Sequence, residues 1–277
     1  MKEPYYKAMY MIFAGLTAVG GVLRFTLKFA FTDHSTGFYT IRGAAPLFYS
    51  AVLFLGLGGM LVLNRFRSPG RDHMLAGGRG PILPVFAMIS GVSLFLYMLY
   101  GLSDPLEPLA PIINTGFADT LRMVNVTAGY ISAAALIVTG IGLFFGRRPP
   151  GILLAVPPVW QVVLLLSRFN GYHSIFHIAD HMLVVLFMLC ATLFYMGHAR
   201  VVCGQGRKDG RNYIISSGLC TAACGLLLVL PNYLYMLIYA APSPAALISL
   251  YESLYVLALS IYALVFTIGY TRSLGSV

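Results

Sequence analysis

Six side chains that could bind a charged or hydrogen-bonding ligand lie inside or at the ends of apolar segments of this sequence. They are Arg24, Lys28, Arg168, Asn232, Tyr235 and Glu252. Ionisable groups within a membrane span are costly, so they mark functional sites more often than chance placement does. A buried salt bridge that orients the helices is the simpler interpretation of this group. The alternative is a ligand site lined by these residues.

The depth of these residues predicts which of them meet. Arg24 and Glu252 each lie seven residues from the predicted end of their helix, which is about 10 Å along the helix axis. We therefore expect the two to form an ion pair. Asn232 lies at a comparable depth beside Pro231, which cannot donate a backbone hydrogen bond and frees a carbonyl. Lys28 and Arg168 are shallower, and their side chains can reach the membrane interface.

Three histidines and one aspartate form a second candidate site. His173, His177 and His181 are spaced i, i+4 and i+8, and Asp180 stands at i+7, so a helix would present all four on one side. Imidazole and carboxylate groups bind zinc, and histidines in a low-dielectric site can act as a proton-linked switch. However, Gly171 disfavours a helix here, and such spacing needs another segment to complete a tetrahedron. A hydrogen-bonded rim at the membrane surface is the simpler interpretation, so no cofactor is expected, with zinc as the alternative.

The sequence has 18 tyrosines, many of them near predicted helix ends. Tyr97, Tyr100 and Tyr251 are examples, and aromatic belts at the membrane interface explain such positions. Trp160 and Gln161 lie further inside a segment, where Gln161 is expected to bond another helix. We therefore assign these residues no ligand at this stage.

The elements that position these residues are eight apolar segments. Hydrophobic residues make up 58% of the chain, charged residues 10%, and the mean hydropathy is +0.81, whereas soluble domains carry about 25% charged residues. The segments fall near residues 8–31, 44–64, 82–102, 122–146, 152–169, 180–202, 212–240 and 245–270, and about 20 residues suffice to cross the hydrocarbon. The sequence predicts one all-α transmembrane domain over residues 1–277. Pro157 and Pro158 either start or kink the fifth helix.

Charge predicts the orientation. One side of the predicted bundle carries thirteen lysines and arginines against three carboxylates, and the other carries five against five. Because positive loops stay in the cytoplasm, both chain ends are expected inside the cell. The net charge of +9 is then a topology signal and implies no nucleic-acid partner.

Glycines predict where helices approach closely. Gly142 and Gly146 form a small-xxx-small pattern, and Gly56, Gly58 and Gly59 crowd the second segment. Such patterns are typical of tight helix packing in lipid.

Residues 157–211 contain PPVW, LLSRF, a helix opening at Asp180 and His181, and a close at GHAR. This stretch resembles a family of uncharacterised bacterial eight-helix membrane proteins. The resemblance implies the same eight-helix plan and a location in the bacterial cytoplasmic membrane. It implies no activity.

The sequence contains no phosphate-binding loop, dinucleotide fingerprint, HExxH motif or nucleophile elbow. The leading hypothesis is a non-enzymatic module with a polar cavity open to the outside, which binds, senses or transports a small molecule. A second hypothesis is a metal-dependent intramembrane hydrolase in which zinc near His177 activates water. A third is a structural or regulatory subunit of a partner membrane protein.

Overall fold

The structure is a computed structural model, and it describes residues 4–33, 40, 44–65, 82–100, 115–147, 149–171, 178–203, 208–239 and 249–275. These residues form eight helices: α1 Pro4–Ala30, α2 Ala44–Arg65, α3 Ile82–Tyr100, α4 Thr115–Phe144, α5 Gly151–Gly171, α6 Ile178–Cys203, α7 Lys208–Tyr239 and α8 Leu250–Gly275. All eight are long and apolar enough to cross a bilayer. The predicted all-α bundle of eight membrane-spanning helices is therefore confirmed.

Two helix boundaries show how local chemistry sets the ends. The α5 helix begins at Gly151, so Pro157 and Pro158 lie inside it and do not start it. The α4 helix ends at Phe144 with Gly146 in the left-handed conformation, at φ 66°. There Gly146 N–H donates to the Leu143 carbonyl and Arg147 N–H donates to the Gly142 carbonyl, which is the Schellman arrangement that glycine favours.

Contacts between helices establish their directions. Tyr97 of α3 stacks on Tyr255 of α8, and Tyr100 stacks on Tyr251, so these two helices are antiparallel. The α8 helix is also antiparallel to α7, because Gly218 faces Thr267 and Gly225 faces Ser260. The α1 helix runs parallel to α7, because Gly20 packs on Leu227 and Lys28 meets Tyr235, eight residues further along both helices. Consequently α1 begins and α8 ends at the same end of the bundle, which we call the termini end. The opposite end is the far end.

Six helices form a closed ring. In order around it, each packs against the next: α3, α4, α5, α6, α7 and α8, with α8 returning to α3. The α1 and α2 helices pack on each other and on α7, outside the ring. The interior of the ring is therefore enclosed by protein on all sides along its length, with α5 opposite α8.

Small residues allow the tightest contacts. A Cβ on Gly91 of α3 would lie 2.9 Å from the backbone oxygen of Ala133 in α4, and one on Gly56 would lie 2.8 Å from a Leu16 methyl carbon. The predicted close approach is confirmed at Gly56. It is wrong at Gly58, which has open space around it, and at Gly146, which caps a helix.

The outward surface of the bundle is apolar. Large exposed side chains include Ile152, Leu237 and Leu55, each more than three-quarters exposed. Such a surface suits hydrocarbon and not water, because lipid needs no polar cover. The polar side chains of the spans are correspondingly concentrated inside, where α7 is the most deeply buried helix.

Candidate functional site

Four of the six predicted ligand residues are buried where α1 packs on α7. Arg24 and Lys28 on α1 are 0% and 1% exposed, and Tyr235 on α7 is 1% exposed. The Lys28 Nζ lies 5.3 Å from the centroid of the Tyr235 ring, a cation–π geometry. Both cations sit on the side of α1 that meets α7, one helical turn apart. The structure thus brings these side chains together in the far half of the bundle.

The same layer of α7 contains an interrupted helix ladder. Gly20 opposes Leu227 and Lys28 opposes Tyr235, so the register places Arg24 level with Pro231. Proline has no N–H, which leaves the Leu227 carbonyl without its helical donor. A buried guanidinium at this level is chemically suited to that carbonyl.

Asn232, the fourth residue, is fully buried beside this break. Neither its amide nitrogen nor its amide oxygen has a hydrogen-bond partner within the described part of the chain. On α8 the register set by Gly225 against Ser260 places Ser253 level with Asn232, and the Ser253 hydroxyl likewise has no partner there. Buried polar atoms are almost always satisfied in native proteins. This layer therefore has hydrogen-bonding capacity that the described side chains do not use.

The remaining two predicted residues form an ion pair across the ring. The Arg168 guanidinium on α5 lies 2.5 Å from the Glu252 carboxylate on α8, and their side chains are 12% and 6% exposed. The same guanidinium nitrogen donates to the Tyr97 hydroxyl of α3 at 3.3 Å. The link joins three helices of the ring at its far end. The pairing of Glu252 with Arg24, predicted from depth, stays a prediction.

An aromatic group lies beneath this ion pair. The rings of Tyr97 and Tyr255 are stacked with centroids 6.3 Å apart, and the Trp160 ring meets Tyr255 edge-on at 5.5 Å. The Tyr255 hydroxyl is 3.2 Å from that of Tyr195 on α6. The prediction that Tyr97 belongs to an interfacial belt is wrong, because its side chain is 2% exposed and faces the ring interior. By contrast, Tyr100 is 48% exposed, as a belt residue would be.

A second buried pair lies nearer the termini end. The Tyr262 hydroxyl of α8 is 2.6 Å from Nε2 of His198 on α6, and both side chains are buried. The Phe194 and Phe266 rings pack against His198. The sequence analysis did not single out this pair. The sequence does carry a signal for Tyr262. Glu252, Tyr255 and Tyr262 are spaced i, i+3 and i+10, which places all three on one side of α8.

Trp160 and Gln161 add unused polar atoms to the ring. The Trp160 indole nitrogen and both amide atoms of Gln161 are buried with no hydrogen-bond partner among the described residues. A Cβ on Gly129 of α4 would lie 3.1 Å from that indole nitrogen, so the indole is held directly against α4. The interhelical hydrogen bond predicted for Gln161 is not found in the described part of the chain.

The predicted zinc site lies beyond what the structure describes. His173 and His177 fall outside the described residues, and only the backbone of Asp180 and His181 is described, within α6. Among the described residues no group of three or more histidines, cysteines, aspartates or glutamates is arranged to hold a metal ion. The zinc site at the four residues therefore stays a prediction.

No protein-family model, curated protein or solved structure matches the chain.

Among the described residues, charged side chains are buried in two places in the far half of the bundle. Arg24 and Lys28 are buried where α1 packs on α7, and Arg168 pairs with Glu252 across the ring. A charge inside the hydrocarbon is costly, on the order of 2 to 3 kcal/mol at the centre of the bilayer and less near its edge. The two buried cations of α1 are therefore the described side chains best suited to an anionic group.

Proposed function

We propose that this integral membrane protein binds a small organic anion beside Arg24 and Lys28, and that the anion enters from the side that the charge pattern predicts to be outside the cell. The observation that carries the proposal is the burial of these two cations one helical turn apart, on the side of α1 that packs on α7. Both signalling and transport start from such a binding step.

The side chains around the cations favour an organic anion with a hydrogen-bonding group. The Asn232 amide and the Ser253 hydroxyl supply a donor and acceptors with no other partner in the described chain. The Tyr235 and Phe29 rings, with centroids 5.7 Å apart, supply an apolar surface beside Lys28. A carboxylate that carries a further polar or apolar group matches this combination better than a bare halide does.

The test is the thermal stability of the purified protein in detergent with a panel of anions. The panel comprises acetate, benzoate, glutamate, citrate and inorganic phosphate, each compared with sodium chloride at equal ionic strength. A ligand that binds only the folded state at 100 times its Kd stabilises by about 2.7 kcal/mol. We expect at least one organic anion to raise the melting temperature.

The variants Arg24→Gln and Lys28→Gln each replace a charged group with a neutral amide on a somewhat shorter side chain. We expect them to lose the response to that anion. Arg272→Gln is the matched control, because Arg272 is exposed at the termini end, and it should respond like the wild type. The proposal is wrong if no organic anion acts beyond chloride, or if all three variants respond equally. Equal responses would mean that Arg24 and Lys28 do not bind the anion, and would favour the subunit hypothesis.

A further inference from the structure

Three pairs of polar side chains lie inside the ring, apart from the proposed anion site between α1 and α7. Going from the far end towards the termini end, the ion pair of Arg168 and Glu252 is followed by the Tyr255–Tyr195 pair and then by the Tyr262–His198 pair. These side chains are buried, apart from that of Arg168, which is 12% exposed. A single buried pair can serve helix packing alone. Three pairs in sequence along one enclosed interior call for another explanation.

The pairs share two helix sides. Glu252, Tyr255 and Tyr262 are spaced i, i+3 and i+10 on α8, and Tyr195 and His198 are spaced i and i+3 on α6. From Glu252 to Tyr262 the helix rises about 15 Å. That is about half of a hydrocarbon core of roughly 30 Å. The polar groups therefore extend through about half of the thickness of the hydrocarbon core.

The first two pairs are linked directly. The Tyr255 hydroxyl faces that of Tyr195, and its ring stacks on Tyr97, whose hydroxyl accepts a hydrogen bond from Arg168 of the ion pair. Along α8 the rise from Glu252 to Tyr255 is about 4.5 Å and that from Tyr255 to Tyr262 about 10 Å, and hydrogen-bonded water molecules can bridge such gaps. Trp160 and Gln161, with polar atoms unpartnered in the described chain, offer hydrogen bonds to such waters from α5.

We infer that the ring interior is a path for protons between Glu252 at the far end and His198 towards the termini end. In each step a hydroxyl oxygen accepts one proton and releases its own to the next acceptor. The O–H bond that breaks is replaced by the one that forms, and no electron is transferred. At the far end of the path, the Glu252 carboxylate takes up or releases the proton. At the other end, Nε2 of His198 accepts it from the Tyr262 hydroxyl or returns it.

Three other sets of titratable groups among the described residues do not belong to the path. The free thiol of Cys190 on α6 lies close to those of Cys220 and Cys224 on α7. Arg122 of α4 is exposed. On α7, Tyr235 is engaged with α1 at the outside of the ring. Within the described part of the chain, the path thus comprises side chains of α3, α5, α6 and α8.

The experiment measures proton flux into liposomes that contain the purified protein and the pH dye pyranine. A potassium gradient with valinomycin makes the lumen negative and draws protons inward. We expect the lumen to acidify at least tenfold faster than in protein-free liposomes. Because none of the anions of the thermal-stability panel is added, the flux does not depend on their binding, and either proposal can fail without the other.

Tyr262→Phe removes only the hydroxyl from the path, and we expect it to reduce the flux at least tenfold. Tyr255→Phe removes a hydroxyl from the adjacent pair and should have the same effect, which tests the path again if the first variant does not fold. Tyr213→Phe is the control, because Tyr213 is 56% exposed on α7, outside the ring. Its flux should equal that of the wild type. Wild-type flux no faster than in empty liposomes would overturn the inference, and so would undiminished flux in folded variants at both path tyrosines.

Discussion

The ion pair between Arg168 and Glu252 gives the sharpest quantitative prediction. The two groups are 2.5 Å apart with side chains 12% and 6% exposed. Removing one partner of a buried pair costs about 3 to 5 kcal/mol, because the other charge is left uncompensated. The pair lies near the far end of α8, where the membrane edge moderates the cost, so we expect about 3 kcal/mol for Glu252→Gln. At about 2 to 4 °C per kcal/mol, the melting temperature should fall by about 6 to 12 °C.

A double-mutant cycle in detergent separates the pair from its surroundings. Arg168→Gln should also destabilise, and the double variant should recover part of the loss, with a coupling free energy of about 2 kcal/mol. A second cycle with Arg24→Gln tests the pairing of Glu252 with Arg24 that depth predicts. Arg272→Gln should change stability by less than about 0.5 kcal/mol, as an exposed control. A coupling between Arg168 and Glu252 below about 0.5 kcal/mol would refute the reasoning, because the charges would then be independently solvated.

Three further predictions follow from packing, sequence spacing and charge. Gly91→Ala should destabilise the protein by about 1 to 3 kcal/mol in thermal melts, because the added Cβ meets α4 backbone at 2.9 Å, whereas Gly58→Ala, with open space around it, should be neutral or slightly stabilising. If the predicted zinc site exists, purified protein should retain near-stoichiometric zinc by metal analysis and His177→Ala should lose it; a metal-free wild type whose melting is unaltered by added zinc would exclude it. A cysteine introduced at Ser68 should be labelled only after cells are opened and one at Pro108 on intact cells; labelling of Ser68 from outside would reverse the orientation.

Hydropathy alone was sufficient to predict the number and approximate positions of the helices. A hydrocarbon span imposes a length of about 20 apolar residues, and that constraint is visible in a single sequence. Helix ends depended on local geometry that hydropathy does not report. Pro157 and Pro158 lie inside α5. Gly146 caps α4, because its positive φ turns the chain so that backbone N–H groups beyond the helix donate to the last carbonyls of α4.

The candidate site was only partly predictable because sequence reports depth but not lateral neighbours. Counting residues from helix ends placed Arg24 and Glu252 at one level, and the structure places Arg168 beside Glu252 from across the ring. Order around the ring depends on packing between distant segments. Likewise, Tyr97 lies near a helix end as belt residues do, and only the neighbours of α3 reveal that it faces inward.

Closure of the ring by its last helix has a consequence for biogenesis. Arg168 and Glu252 are separated by 84 residues, so the arginine enters the membrane well before its carboxylate is synthesised. At about 5 to 20 residues per second, the wait is about 4 to 17 s. During that time Arg168, near the end of α5, can extend its side chain to the headgroups. Insertion of α8 then completes the ring and supplies the carboxylate that pairs with this cation, so the polar interior is assembled only after α8 has entered the bilayer.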